Sequence, residues 1–162
     1  PLTSGGGIKS GWDAEELFRS GADKVAINSA AIKKPELIKE ISKNFGSQSL
    51  VISIQAKKNL NNWNIYFDTA REKTDIEVTE WIKRCQDLGA GEILLNSIDR
   101  DGSRKGYDLN LSKQVTNSVE IPVILCGGVG SFSHFHEGIL EGGAGHAKRL
   151  GSAVHAPCKL CL

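Results

Sequence analysis

Methionine is absent from the 162 residues, and cysteine and proline occur only four times each. Cys85, Cys126, Cys158 and Cys161 are too few and too unevenly spaced for the disulfide framework of a small secreted domain. No run of eighteen apolar residues occurs, so no membrane-spanning helix is expected. No charged-then-apolar leader opens the chain, and a cytoplasmic location is the expectation. Neither sign of charge prevails: 20 Lys and Arg stand against 19 Asp and Glu, a net charge of +1. That balance argues against a dedicated nucleic-acid binder, which usually shows a clustered basic face. What remains is 40% apolar and 24% charged, enough for one globular domain with a real core. With Pro1 at its start and no methionine, the chain is expected to be a piece of something longer.

Apolar runs alternate with helical patterns along the chain. Trp12, Leu17 and Phe18 mark a helix over 12–20, with Asp13 as its expected N-cap and Gly21 as its stop. Lys24–Ser29 is a short strand. Pro35 suits a first helical position ahead of Leu37, Ile38, Ile41 and Phe45. Leu50–Ile54 is a second strand; a polar excursion and the alternation of Trp63, Ile65 and Phe67 follow as a small β-ribbon. A helix over 76–88, a strand over 92–97, a helix over 109–119, a strand over 122–126 and a helix over 131–141 complete the pattern. Strands that alternate with helices form βα units and a parallel sheet.

An internal repeat narrows the architecture. The segments Gly21–Ser29 and Gly89–Ser97 both open on Gly-Ala and end in Asn-Ser. Gly5-Gly6 precedes Gly21-Ala22 by sixteen residues, and Gly127-Gly128 precedes Gly143-Ala144 by the same sixteen. Equivalent units that close a ring repeat their geometry, which favours a (β/α) barrel over an open doubly wound sheet.

The glycine clusters at 5–7 and 127–128 sit between a strand and a helix. Backbone N–H groups can approach a phosphate closely there, with a helix N-terminus behind them. A tight turn needing positive φ is the plain alternative. Two related clusters, with Asn28-Ser29 after the intervening strand, favour phosphate binding, and two copies suggest a substrate with two phosphates. The turn Asp99-Arg100-Asp101-Gly102-Ser103 follows the strand at 92–97, where a barrel keeps its chemistry, so Asp101 is a candidate acid/base. Lys24 and Glu92 start their strands, at the opposite end of such a barrel; a structural ion pair between neighbouring staves or a gate on an axial channel are both open. His134 and His136 read as surface residues. The Cys158/Cys161 spacing lacks a second pair and gives no more than a weak zinc signal. No metal or cofactor is expected.

The segments SGGG, GADKVAINSAAI, VISI, GAGEILLNSIDRDGSRKGYDL and IPVILCGGVG together resemble the cyclase subunit of imidazole glycerol phosphate synthase. Asn96, the KKNL stretch and CGG look more like a paralogous branch found with surface-polysaccharide clusters. The resemblance implies an α/β fold, an incomplete (β/α)8 TIM barrel from about the end of strand 3 to strand 8. The match runs over nearly all of residues 1–143; the partial barrel is expected to span residues 1–155 as a single domain, with 156–162 an unmatched tail. It implies a lyase-type synthase subunit of histidine biosynthesis, paired with a glutaminase as a heterodimer. Ammonia from that partner would cross the barrel axis and react with a bisphosphorylated ribulosyl aminoimidazole carboxamide nucleotide. Imidazole glycerol phosphate and an aminoimidazole carboxamide ribotide would result.

Carried over residue by residue, Gly6, Gly7, Asn28 and Ser29 hold one phosphate. Asp101, Gly102, Gly127 and Gly128 lie at the other, completed by Ser152. Lys24 and Glu92 match an ammonia gate, and Asp23 a glutaminase contact. The family uses two aspartates as acid and base. By register the first belongs to a strand outside this chain, and the second stands where this chain has Gln55. A carboxamide cannot exchange a proton near neutral pH, so this chain is expected to bind phosphate without turnover. Two other readings stay open: a non-catalytic ammonia-delivery partner of a glutaminase and a sugar amidotransferase, and the sister phosphoribosyl isomerase of the same pathway. Lys148 and Arg149, in place of a small apolar last strand, depart from the family.

Overall fold

Leu50, Ile52 and Ile54 alternate with Val51, Ser53 and Gln55 along one strand, and only the first set joins the hydrophobic core. That alternation repeats around the sheet and sets its two faces. The computed structural model describes residues 1–144; the expected eighth strand, Ser152, Lys148, Arg149, the Cys158/Cys161 pair and the tail lie outside the described residues. The elements run β1 (Thr3–Gly5), α1 (Gly11–Arg19), β2 (Lys24–Ile27), α2 (Ser29–Lys33), α3 (Glu36–Phe45), β3 (Leu50–Asn59), β4 (Asn62–Phe67), β5 (Glu72–Glu77), α4 (Val78–Asp87), β6 (Glu92–Ser97), α5 (Leu109–Thr116), β7 (Val123–Cys126) and α6 (Phe132–Leu140).

Strands β1, β2, β3, β6 and β7 are parallel and adjacent in that order, while β4 and β5 fold back antiparallel from the end of β3. The parallel strands follow one another in chain order without a reversal, as in a singly wound barrel rather than a doubly wound sheet. Five such strands curl into part of a ring that closes with eight. The fold is an incomplete (β/α)8 barrel.

Val25, Ile27, Leu50, Ile52, Ile54, Ile93, Leu95 and Val123 form the outward face and bury against Leu37, Ile38 and Ile41 of α3, Trp81 and Ile82 of α4, and Leu111 and Val115 of α5. The inward set, including Ala26, Ser53, Gln55, Leu94, Asn96, Ile124 and Cys126, is half-buried. Cys85 on α4 lies in the helix layer, where burial pushes its thiol up to about 12. It is a packing residue, with no thiolate to offer near neutral pH.

Three local expectations need correction. The N-cap of α1 is Ser10, and Asp13 is its reciprocal partner: Ser10 Oγ accepts from Asp13 N–H, and Asp13 accepts from the N–H groups of Lys9 and Ser10 at 2.8 Å. These bonds, that from Lys9 first, hold the Asp13 carboxyl below its ordinary range. Pro35 is the N-cap of α3 rather than its first helical residue. Strand β3 runs on to Asn59, because its polar end pairs with β4 from Gln55↔Tyr66 to Asn59↔Asn62.

Trp81 is 2% exposed and Trp12 64% exposed. Urea unfolding of Trp81→Ala is expected to show a loss of about 3–5 kcal/mol. Trp12→Ala is expected to stay within about 0.5 kcal/mol of the parent chain.

Candidate functional site

Parallel register places the C-terminal ends of β1, β2, β3, β6 and β7 along one rim. Two pairs of adjacent strands carry the residues expected to hold phosphate. Gly6 and Gly7 follow β1, and Asn28 and Ser29 follow its neighbour β2. Asp101 and Gly102 follow β6, and Gly127 and Gly128 follow its neighbour β7. Strand β3, with Gln55, lies between the two pairs. The mid-lines of the two pairs are three strand spacings apart, about 14 Å along the sheet.

The register row across the rim is Gln55↔Asn96↔Cys126 on the inward face. Gln55 Oε1 and Asn96 Oδ1 are both buried and make no hydrogen bond among the described residues, as does Ser97 Oγ. Asn96 Nδ2 donates to Asp101 Oδ2 at 3.4 Å, which ties the exposed Asp101 back to the row. Gly127 and Gly128 have φ of 87° and 92°. A side chain at the first would run into Asn96 Oδ1, and one at the second into the carbonyl of Gly106. Both positions therefore demand glycine for conformation and for space. The N–H groups of Gly6, Gly7, Gly127 and Gly128 donate no hydrogen bond among the described residues. They are the donors an anion at this rim would meet.

The α1 N-terminus contributes less than the sequence suggested. The Asp13 carboxylate already occupies it, so an anion near Gly6 and Gly7 meets loop amides rather than the helix end.

The ribbon formed by β4, β5 and the end of β3 leans over the rim and is fastened at several points. Asp68 N–H donates to Ser29 Oγ at 3.0 Å. Lys58 N–H donates to Asp99 at 2.8 Å, and Trp63 Nε1 donates to the Asp108 carboxylate at 3.2 Å. Ser29 is thus beneath the ribbon tip; its own proton points to Asn28 Oδ1 at 3.4 Å. Asn28 Nδ2 in turn donates to the Ser53 carbonyl at 2.9 Å. Lys33, Lys57 and Lys58 lie over the rings of Phe67, Tyr66 and Trp63 at 5.3, 6.0 and 5.6 Å. They hold three ammonium groups on the ribbon, a favourable field for an anionic ligand.

At the opposite end, Lys24 Nζ donates to Glu92 Oε1 with both side chains largely buried. They belong to β2 and β6, which are not neighbouring staves: β3 lies between, in register Ala26↔Val51↔Glu92. The curl of the sheet brings inward side chains two strands apart into contact over Val51. Asp23 is exposed, and its carboxylate accepts the Leu2 N–H at 2.6 Å.

The site residue the sequence reading passed over is Asn96, although the shared Asn-Ser ending pairs it with Asn28. His134 also departs from expectation: it is half-buried, and its Nδ1 accepts the Gly130 N–H at 3.0 Å.

Parallel strands with helices outside and polar groups at one rim define a (β/α)-barrel protein whose chemistry belongs at the C-terminal strand ends. A family model described as histidine biosynthesis protein matches residues 1–157, and the chain belongs to that family. The imidazole glycerol phosphate synthase subunit HisF of Legionella pneumophila is 53% identical over 137 residues, which cover 84% of this chain. The chain spans 65% of the length of that curated relative. No described helix is long and apolar enough to cross a membrane.

A double-mutant cycle on Lys24→Met and Glu92→Leu tests whether the bottom pair is energetically coupled. Each single change strands a largely buried charge, while the double change removes both. The expected coupling from urea unfolding is about 1–3 kcal/mol, with the double variant more stable than either single one.

Proposed function

We propose that this chain is the phosphate-holding part of an imidazole glycerol phosphate synthase cyclase subunit, acting in the cytoplasm with a glutaminase partner. The observation that carries the reading is the pair of anion-suited rim clusters flanking β3, in a chain 53% identical to a HisF subunit. A separation of about 14 Å along the sheet suits one extended ligand with a phosphate at each end. Gly6, Gly7, Asn28 and Ser29 take one phosphate; Gly102, Gly127 and Gly128, with Ser152, take the other. The ligand is a bisphosphorylated ribulosyl aminoimidazole carboxamide nucleotide. Its reacting centre would lie over β3, facing Gln55, Asn96 and Asp101.

The chemistry at that centre needs a group that gives and takes protons. Gln55 can donate and accept hydrogen bonds but cannot ionise near neutral pH, and its row partner Asn96 is a second neutral amide. Asp101 is the carboxylate tied to this row, through Asn96, and it is exposed, while Asp99 and Asp108 are engaged by the ribbon. The chain therefore binds and orients the ligand without turning it over. Lys24, Glu92 and Asp23 belong to the other end, where ammonia from the glutaminase would enter.

A second reading is favoured by Gln55 standing above an intact Lys24–Glu92 pair. A subunit that passes ammonia to a sugar amidotransferase needs the bottom gate and no acid/base carboxylate. Activation of a glutaminase by the chain without any cyclase product supports this reading over the first.

Calorimetric titration of the purified chain with the bisphosphorylated nucleotide is expected to show binding, and Gly128→Val to abolish it. Incubation with nucleotide and ammonium ions is expected to give no imidazole glycerol phosphate. Measurable product overturns the inactivity, and absence of binding overturns the substrate.

A further inference from the structure

Two loops meet at the rim after β6 and β7, and one imidazole touches both. His134 stands in the first turn of α6, and its Nδ1 accepts the N–H of Gly130 at 3.0 Å. The same ring covers Gly106, where a methyl group would meet the imidazole carbon Cδ2 at 3.3 Å. Gly106 N–H donates to the Gly128 carbonyl at 2.7 Å. Gly130 is pressed against the backbone of Arg104, leaving no room for a side chain. The loop over 127–130 is thus fixed from both sides: at Gly130 by the imidazole directly, and at Gly128 through Gly106 beneath the ring. An Nδ1 that accepts this bond leaves the ring proton on Nε2.

We propose that His134 is the positioning residue of the Gly127–Gly130 loop, setting its amides for an anionic phosphoryl group. The proposal rests on the reading of Gly127 and Gly128 as a phosphate site. A trans peptide sets C=O and N–H antiparallel. Fixing the Gly128 carbonyl on Gly106 therefore also fixes the direction of the Val129 N–H, away from Gly106. His134 touches no ligand; it acts by removing the loop's freedom before binding. A ligand then loses less of its interaction energy to ordering the loop.

Inorganic phosphate, titrated into the 15N-labelled chain and followed at the Gly127, Gly128 and Gly130 amides, is the test. His134→Ala loses both ring and acceptor; His134→Phe keeps the ring over Gly106 and loses the acceptor; His134→Asn keeps an acceptor oxygen within reach of Gly130. Alanine and phenylalanine are expected to weaken phosphate about two- to tenfold, the range of one lost hydrogen bond. Asparagine is expected to restore affinity to within about twofold of the parent. Side-chain 15N shifts of His134 are expected to place the ring proton on Nε2. Phosphate binding indifferent to all three substitutions, or asparagine no better than alanine, overturns the role of His134 alone. A parent chain with no phosphate-dependent shift at Gly127 or Gly128 overturns the anion site itself. Retained secondary structure and melting behaviour in His134→Phe separate a positioning loss from an unfolded helix.

Discussion

Register is the constraint on which everything at the rim depends, and burial fixes it. Side chains alternate along each strand, so a slip of one residue would drive Gln55 and Asn96 into the helix layer and turn Ile54 and Leu95 inward. Burying a side chain of that size contributes about 1.5–3 kcal/mol, and every parallel strand carries at least two such residues or packs beside strands that do. The outward residues Ile52, Ile54, Ile93 and Leu95 thus determine where the polar rim residues stand. A core with no direct part in chemistry sets the position of every group proposed to have one.

Much of this was readable from the chain itself. Apolar runs at 50–54 and 92–97 set between helical patterns, glycines after strand ends and the repeated Asn-Ser termini point to βα units and to one functional rim. What was not readable depended on backbone conformation or on partners supplied by other segments. Ser10 and Asp13 each have the chemistry of a cap, and only the backbone conformation decides that Ser10 fills the role. The polar residues after Ile54 look like a loop until β4 supplies hydrogen-bonding partners. Lys24 and Glu92 could be matched as equivalent positions, yet their meeting across β3 depends on sheet curvature, which no local pattern encodes. His134 looked like a surface residue because its two contacts, Gly130 and Gly106, lie on different loops.

The rim surrounds a neutral central row with groups suited to an anion. Flexible-backbone glycines, loop amides and ring-supported lysines all suit negative charge. The central row instead offers uncharged amides, two of whose oxygens are buried without a hydrogen bond among the described residues. Such oxygens are costly unless a donor reaches them, so an N–H or O–H group placed over this row would relieve that cost.

The ribbon has a mechanical meaning beyond its electrostatic one. Asp68 on Ser29, Lys58 on Asp99 and Trp63 on Asp108 fasten one three-stranded ribbon to the segments after two different strands. Lifting the ribbon releases both segments, and loosening either segment tugs on the ribbon. The segments after β2 and β6 are therefore one cooperative unit of local opening rather than two independent ones. An opening of the ribbon that breaks these three bonds would expose the segments after β2 and β6 to solvent together.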